Sequence, residues 1–141
     1  IVNFWTTWWP YCERQLGYLD QLSEEFKDIG LQVLAVNVNK ANIINQVRPY
    51  IKKRKYKFNV SVDPSSKLAK QFKVRGYPTF LLIDQEGNII DKSSGYEEGM
   101  EDKYLSKLLK YFDSQNIEYE PFKYAEKESG INKNGEVKID F

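Results

Sequence analysis

The chain of 141 residues carries 21 basic and 20 acidic side chains, and its net charge of +1 gives no electrostatic reason to expect nucleic acid or an anionic membrane as the main partner. It has one cysteine and no histidine, which excludes the usual zinc and haem-iron ligand sets and catalysis by Ser–His–Asp or Cys–His groups. We therefore expect one domain with a sizeable core, no metal, no cofactor and no membrane span, since no stretch approaches the roughly 20 apolar residues that a span needs.

The first part of the chain predicts two buried strands joined by a helix. Residues 1–5 are mostly apolar, as a strand buried on both faces is. Pro10 suits a first helical turn, and apolar residues at three- and four-residue spacing then predict a helix over 11–27, which stops before Gly30. Residues 31–38 form a second apolar run, which predicts the second buried strand.

A second helix and a further strand and helix follow. Residues 42–55 have one apolar face, and Pro49 inside them predicts a kink or an early break. The basic run at 52–57 is typical of a helix C-terminus, where cations complement the dipole, and the neutral total disfavours a nucleic-acid interpretation. Residues 58–62 predict a short strand, and Asp63 is expected to be the N-cap of the next helix.

The last part of this pattern predicts a loop, a hairpin and a final helix. Pro78 lacks an N–H and begins a strand, and it is the residue type for which a cis peptide bond costs little. Gly87 supplies the turn to an edge-type strand at 89–94. A helix then begins at Glu97 or Glu98, and its apolar positions are expected to face the sheet: Tyr104, Leu105, Leu108, Leu109 and Phe112.

Three stretches carry a resemblance to a known family: residues 8–12 (WWPYC) after the first strand, residues 74–84 around Pro78, and the hairpin at 84–90. They resemble the active-site turn, the cis-proline loop and the following hairpin of the thioredoxin-like thiol–disulfide oxidoreductases, in the TlpA/ResA-like redoxin branch. The resemblance covers residues 1–112 as one domain and implies an α/β thioredoxin fold, with a central mixed sheet flanked by helices. The predicted order βαβαβαββα agrees with it, and the helix–strand unit ahead of Pro78 looks like the insertion of that branch.

The chain departs from the family at the positions that carry its chemistry. In the family's Cys-x-x-Cys, the first cysteine attacks a substrate disulfide from a helix N-terminus, and the second resolves the mixed disulfide. Trp9 stands at the position of the missing nucleophile, and Cys12 corresponds to the resolving cysteine. Gln15 and Gly17 stand where the branch often has an acidic residue and a proline. The resemblance thus implies that dithiol exchange is lost or reduced to monothiol exchange at Cys12.

Cys12 has three interpretations at this point. It is a small buried residue under the turn, which we favour because most free cysteines behave so. Alternatively it is a monothiol that forms mixed disulfides with a small thiol or a partner protein. In the third interpretation Trp9 belongs to an altered form of a Cys-Pro-Tyr-Cys parent. Whether the chain is an enzyme therefore stays open.

Two functions follow from the resemblance. The first is a thioredoxin-like protein of the oxidoreductase family with an altered redox site. The second is a non-enzymatic module that binds a protein or an extended peptide through an apolar rim beside the cis-proline loop. For the two neighbouring tryptophans, the alternative interpretation is that they cap the core. A third function, a peroxiredoxin-type peroxidase, is disfavoured because no cysteine lies in a peroxidatic context. The candidate binding residues are Trp8, Pro10, Tyr11, Tyr77 and Pro78.

Residues 113–141 fall outside the family pattern. Alternation of apolar and polar residues at 117–122 and 136–141 predicts short strands in an extension that joins the sheet, packs across the body or is partly disordered. The resemblance implies an extracytoplasmic location, periplasmic or membrane-anchored. It also leads us to expect that a further N-terminal strand and any targeting segment lie outside the printed sequence.

Overall fold

Five strands form one mixed sheet in the computed structural model, which describes residues 1–122. β1 (Val2–Trp5), β2 (Leu34–Asn37) and β3 (Asn59–Val62) run parallel, and β4 (Thr79–Ile83) pairs antiparallel with both β1 and β5 (Ile89–Ser94). The strand order is β3-β2-β1-β4-β5, which makes β1 the central strand. This arrangement confirms the predicted α/β class with a mixed sheet.

Helices cover both faces of the sheet because neighbouring strand residues point to opposite sides. Trp5, Phe80 and Leu82 join the main core, which also contains the buried faces of the first and last helices. Phe4 and Leu81 lie on the other face in a smaller core. The helices are α1 (Pro10–Glu25), α2 (Val47–Arg54), α3 (Lys67–Gln71) and α4 (Met100–Ser114), with 3-10 segments at Lys27–Ile29 and Ala41–Gln46.

The second helix is shorter than predicted. The segment Ala41–Gln46 is a 3-10 helix, and α2 begins at Val47. Pro49 therefore lies in the first turn of α2, where a missing N–H removes no intrahelical hydrogen bond. The prediction of one helix over 42–55 with a kink or an early break at Pro49 is wrong in its position, because the change of helix type comes before the proline.

The third helix begins later than predicted. Its N-cap is Ser66, with a left-handed backbone (φ 57°), so the expectation that Asp63 is the N-cap is wrong. The Asp63 carboxylate nevertheless accepts the N–H groups of Leu68 at 3.2 Å and Ala69 at 2.9 Å. It satisfies free N–H groups at the helix start from outside the usual N-cap position.

The final helix and the residues after it complete the described structure. α4 begins at Met100 rather than at Glu97 or Glu98, and it continues past the predicted domain limit at 112. Residues 117–122 are not a strand, so that prediction is wrong. Tyr119 and Phe122 instead lie against Phe26, with ring centroids 6.5 and 5.8 Å away. The strand predicted at 136–141 lies outside the described residues.

Candidate functional site

The turn between β1 and α1 places Trp9 at the mouth of the helix. Trp9 is the N-cap, with an extended backbone (φ −104°, ψ 113°), and its carbonyl accepts the Cys12 N–H at 3.1 Å. Pro10 is the first helical residue, where its fixed φ is favourable. No side chain caps the helix. Its free N–H groups and positive dipole end could stabilise an anion, but the side chain at position 9 is an indole, which carries no negative charge.

Cys12 lies one turn into α1 and is fully buried in the main core. Burial raises the pKa of its thiol from 9.0 to about 11, and hydrogen bonds with Thr6 oppose that rise only in part. The reactive form of cysteine is the thiolate, so Cys12 at neutral pH is a protonated group without access to solvent. This is the environment of a small core residue.

Gln15 is also buried and links two helices. Its Nε2 donates a hydrogen bond to the Tyr104 Oη at 2.8 Å, which joins α1 to α4. The Tyr104 ring stacks on Phe80, with centroids 4.1 Å apart. Burial raises the pKa of Tyr104 to about 12, so the tyrosine is protonated at neutral pH. Neither partner of this bond offers the acid–base chemistry that a carboxylate at position 15 would provide.

Glu13 follows Cys12 on the solvent side of α1. Its side chain is exposed, but its Oε1 accepts a hydrogen bond from the Arg54 Nε at 2.8 Å. The Arg54 guanidinium also lies over the Tyr50 ring, 3.5 Å from its centroid. Glu13 is thus held against α2 by an ion pair, on a different side of α1 from Cys12 and Gln15.

The loop before β4 lies beside the start of α1. The Tyr77–Pro78 peptide bond is cis, and the Pro78 carbonyl accepts the Gly95 N–H at 2.8 Å, which ties the loop to the end of β5. Burial raises the pKa of Tyr77, and the Asp63 carboxylate and the Cys12 thiol, in its ionised form, add to that rise. Tyr77 is half-buried and packs on both cores rather than standing out as an anchor.

Four aromatic residues form a row across this end of the molecule, which we call the aromatic ridge: the exposed Trp8, Trp9 and Tyr11, and the half-buried Tyr96. Trp8 is 60% exposed, Trp9 39% and Tyr11 50%, so the alternative that the two tryptophans cap the core is wrong. Successive ring centroids lie 6.1, 5.4 and 5.8 Å apart along the row. A large apolar surface of this kind on a folded domain marks an interaction site more often than a structural one.

Tyr96 and Glu101 are the site residues that the sequence did not reveal. The Tyr96 hydroxyl donates a hydrogen bond to the Glu101 carboxylate, and the Arg14 Nε lies 3.7 Å from the same carboxylate. The Arg14 guanidinium is also 5.7 Å from the Tyr96 ring centroid. The one available signal was that Tyr96 follows Gly95, at the end of a strand that neighbours the predicted cis-proline loop.

The described residues offer no metal site. Within residues 1–122, no three histidine, cysteine or carboxylate side chains lie close enough together to hold an ion. None of the helices in this part of the chain is long and apolar enough to cross a membrane. The chemistry available near the turn is that of one buried thiol, an uncapped helix N-terminus and an aromatic surface.

Comparison with known proteins identifies the family. A family profile described as AhpC/TSA matches residues 1–92. The chain belongs to the AhpC/TSA family. Among curated proteins, this family member is 30% identical to the thiol-disulfide oxidoreductase ResA of Bacillus cereus over 109 residues, which cover 77% of this chain and 62% of ResA. It is also 30% identical to ResA of Bacillus subtilis over 95 residues, which cover 67% of this chain and 52% of that protein. The chain therefore spans less than two thirds of the length of these relatives.

The ResA relatives confirm the TlpA/ResA-like branch predicted for this AhpC/TSA family member, and solved structures confirm the thioredoxin-like fold. The exposed lipoprotein thioredoxin Etrx1 of Streptococcus pneumoniae is 31% identical, with a TM-score of 0.65 over 77% of this chain and 82% of that one. StoA of Bacillus subtilis is 24% identical, with a TM-score of 0.59 over 72% of this chain and 78% of that one, and it supports the fold alone.

Proposed function

We propose that this AhpC/TSA family member is a thioredoxin-like protein in which dithiol exchange is lost or reduced to monothiol exchange at Cys12. The proposal rests on the observation that Trp9, not a cysteine, occupies the N-cap of α1. Cys12 is therefore left as the only cysteine in the sequence. Cycling an internal disulfide requires two sulfurs, and an indole supplies none. The remaining reaction is attack of the Cys12 thiolate on a disulfide sulfur, which forms a mixed disulfide and releases the other sulfur as a thiolate. Burial and the raised pKa make this reaction slow.

The names of the relatives support a protein or peptide partner and an outward-facing location. The curated relatives are thiol-disulfide oxidoreductases, and one structural relative is an exposed lipoprotein thioredoxin. We propose the same general class of partner for this chain and an extracytoplasmic location. Neutral total charge is consistent with a protein partner rather than nucleic acid.

Reduction of insulin by dithiothreitol tests the redox part of the proposal. With the native chain we expect insulin to precipitate at the uncatalysed rate, since no internal disulfide can form. The Cys12→Ala variant is the matched control and should give the same trace. A native rate above that of Cys12→Ala would show that monothiol exchange at Cys12 remains, and a native rate as fast as that of a Trp9→Cys variant would contradict the proposal.

The exposure of the aromatic ridge favours a second candidate function, a non-enzymatic binding module. Tryptophan and tyrosine are enriched among the residues that dominate binding energy at protein interfaces, and here three of them are exposed beside the cis-proline loop. A dye-labelled, cysteine-free extended peptide, followed by fluorescence anisotropy, tests this candidate. Binding that weakens in Trp8→Ala while insulin turnover stays at background supports a module; equal binding by Trp8→Ala contradicts use of the ridge.

A further inference from the structure

The aromatic ridge ends beside a group of carboxylates. Glu97 and Glu98 directly follow Tyr96, the last ring of the row, and both are exposed. Within residues 1–122, neither of them takes part in any of the ion pairs. The nearby cation, Arg14, already has Glu101 as its counter-charge. The ridge thus combines three exposed rings with two exposed carboxylates that form no ion pair within residues 1–122.

Two guanidinium groups of this chain each contact both an aromatic ring and a carboxylate. Arg14 lies between the Tyr96 ring at 5.7 Å and the Glu101 carboxylate at 3.7 Å. Arg54 lies over the Tyr50 ring at 3.5 Å and pairs with Glu13 at 2.8 Å. In both places an aromatic face attracts the cation and a carboxylate neutralises it. The exposed rings of the ridge, followed by Glu97 and Glu98, provide the same pair of groups to a cation from outside.

The angles between the rings disfavour flat ligands. Trp8 and Trp9 are inclined at 66°, and Trp9 and Tyr11 at 63°, so neighbouring exposed rings share no common plane. A base or a sugar ring could stack on only one of them. A compact cationic group on a flexible stem can reach each ring face separately, because the attraction of a cation to a ring needs only a position above that ring.

We propose that the aromatic ridge binds a basic extended segment of a partner protein, with its arginine or lysine side chains against the rings of Trp8, Trp9 or Tyr11 and near Glu97 and Glu98. The choice of occupant rests on charge complementarity between the carboxylate end of the ridge and a cationic segment. This inference rests on the second candidate function, a binding module, and it adds the chemical class of the partner. It does not depend on whether Cys12 retains any redox activity.

Three dye-labelled peptides of equal length test the inference by fluorescence anisotropy at low ionic strength. One alternates arginine with alanine, the second has citrulline in place of every arginine, and the third has glutamate there. We expect the arginine peptide to bind about tenfold more tightly than the citrulline peptide, and the glutamate peptide to bind least. Binding of the arginine peptide should weaken as salt is raised, because exposed charges are screened.

Two ridge variants and two matched controls locate the binding. Trp9→Ala should weaken binding of the arginine peptide about fivefold, and the double variant Glu97→Gln/Glu98→Gln about threefold. The double variant leaves the helix start of α1 unchanged, so it tests the inference even if Trp9→Ala perturbs the turn. Ile90→Ala, an exposed apolar position on β5, and Glu118→Gln, an exposed carboxylate after α4, should bind like the native chain.

The outcomes separate this inference from the function on which it rests. Equal affinity for the arginine and citrulline peptides, with both weakened by Trp9→Ala, would overturn the cationic partner and leave the binding module intact. Arginine-dependent binding that Glu118→Gln weakens as much as the double variant does would overturn the ridge as its location. Failure of all three peptides to bind would overturn both this inference and the second candidate function.

Discussion

Trp9 and Cys12 lie three positions apart and have opposite environments. Trp9 is partly exposed at an uncapped helix N-terminus, whereas Cys12 is buried in the core under the same turn. Both positions could be assigned from sequence, because the strand, the tryptophan and the Cys12 spacing are local features. Tyr96 and Glu101 could not be assigned, since their contacts with Tyr11 and Arg14 bring together segments far apart in the chain.

The burial of Cys12 predicts slow chemical labelling. In the native chain, iodoacetamide near neutral pH should modify Cys12 far more slowly than the same thiol in urea, because burial disfavours the thiolate and blocks access. Mass spectrometry at successive times measures both rates. Native labelling as fast as that of the unfolded chain would mean that the thiol is open to solvent.

The raised pKa of Cys12 also predicts a loss of stability at alkaline pH. Below about pH 9 the thiol is protonated in both states and contributes nothing to the pH dependence. Between 9.0 and about 11 the unfolded chain releases the proton and the folded chain keeps it, so the free energy of unfolding falls as pH rises. Urea titrations across this interval should show a steeper fall in the native chain than in Cys12→Ala. Parallel slopes would contradict the assigned environment.

At the scale of the elements, the existence and order of helices and strands could be predicted, but the starts of α2, α3 and α4 could not. Periodicity marks an apolar face whether the turn is 3-10 or α, so the predicted second helix includes residues 42–46, which belong to the 3-10 segment. Asp63 has the side chain of an N-cap, but the turn at 63–66 moves the start of α3 to Lys67. A capping residue in the sequence therefore identifies the helix more reliably than its first residue.

Asp63 should contribute measurably to stability through the start of α3. Asp63→Ala removes two hydrogen bonds from buried or half-buried N–H groups and should lower the free energy of unfolding by about 1–2 kcal/mol. Asp63→Asn keeps one acceptor oxygen and should cost less. Urea denaturation with tryptophan fluorescence measures both. An alanine variant as stable as the native chain would show that the two bonds contribute nothing.

The bond between α1 and α4 gives a second prediction at this scale. Tyr104→Phe removes the hydroxyl that accepts the Gln15 Nε2 hydrogen bond and leaves a buried amide donor unpaired, at a cost of about 1–3 kcal/mol. The control is Tyr111→Phe, on the same helix, whose hydroxyl accepts an exposed backbone N–H from Gln85 and should matter less. Equal losses in the two variants would contradict a special contribution from the buried pair.

At the scale of the whole molecule, the sheet was predictable because parallel strands joined by helices and a final hairpin admit few arrangements. The position of residues 117–122 could not be predicted in the same way. Their alternation of apolar and polar residues indicates a strand, but contacts with Phe26 determine where these residues lie. The aromatic ridge is likewise a tertiary feature. It forms only because the end of β5 is tied to the cis-proline loop beside the start of α1.

The contact of residues 117–122 with the body predicts a loss of stability on truncating one ring. Phe122 lies 5.8 Å from Phe26 and 6.1 Å from Tyr18 between ring centroids, so Phe122→Ala should lower the free energy of unfolding by about 1 kcal/mol. Glu120→Ala, an exposed neighbour, serves as the control. Thermal unfolding of the two variants measures the difference, and identical melting temperatures would mean that this segment adds nothing to the fold.

The most direct test of the central claim, that Trp9 occupies the position of a missing redox sulfur, is the thiol–disulfide state of Trp9→Cys. Positions 9 and 12 lie one helical turn apart, within the distance that a disulfide spans. We expect air-oxidised Trp9→Cys to remain a monomer, to lose two mass units and to have no free thiol left. We also expect Trp9→Cys to accelerate insulin reduction, whereas the native chain does not. Two free thiols that persist under oxidation, or only an intermolecular disulfide, would contradict the claim.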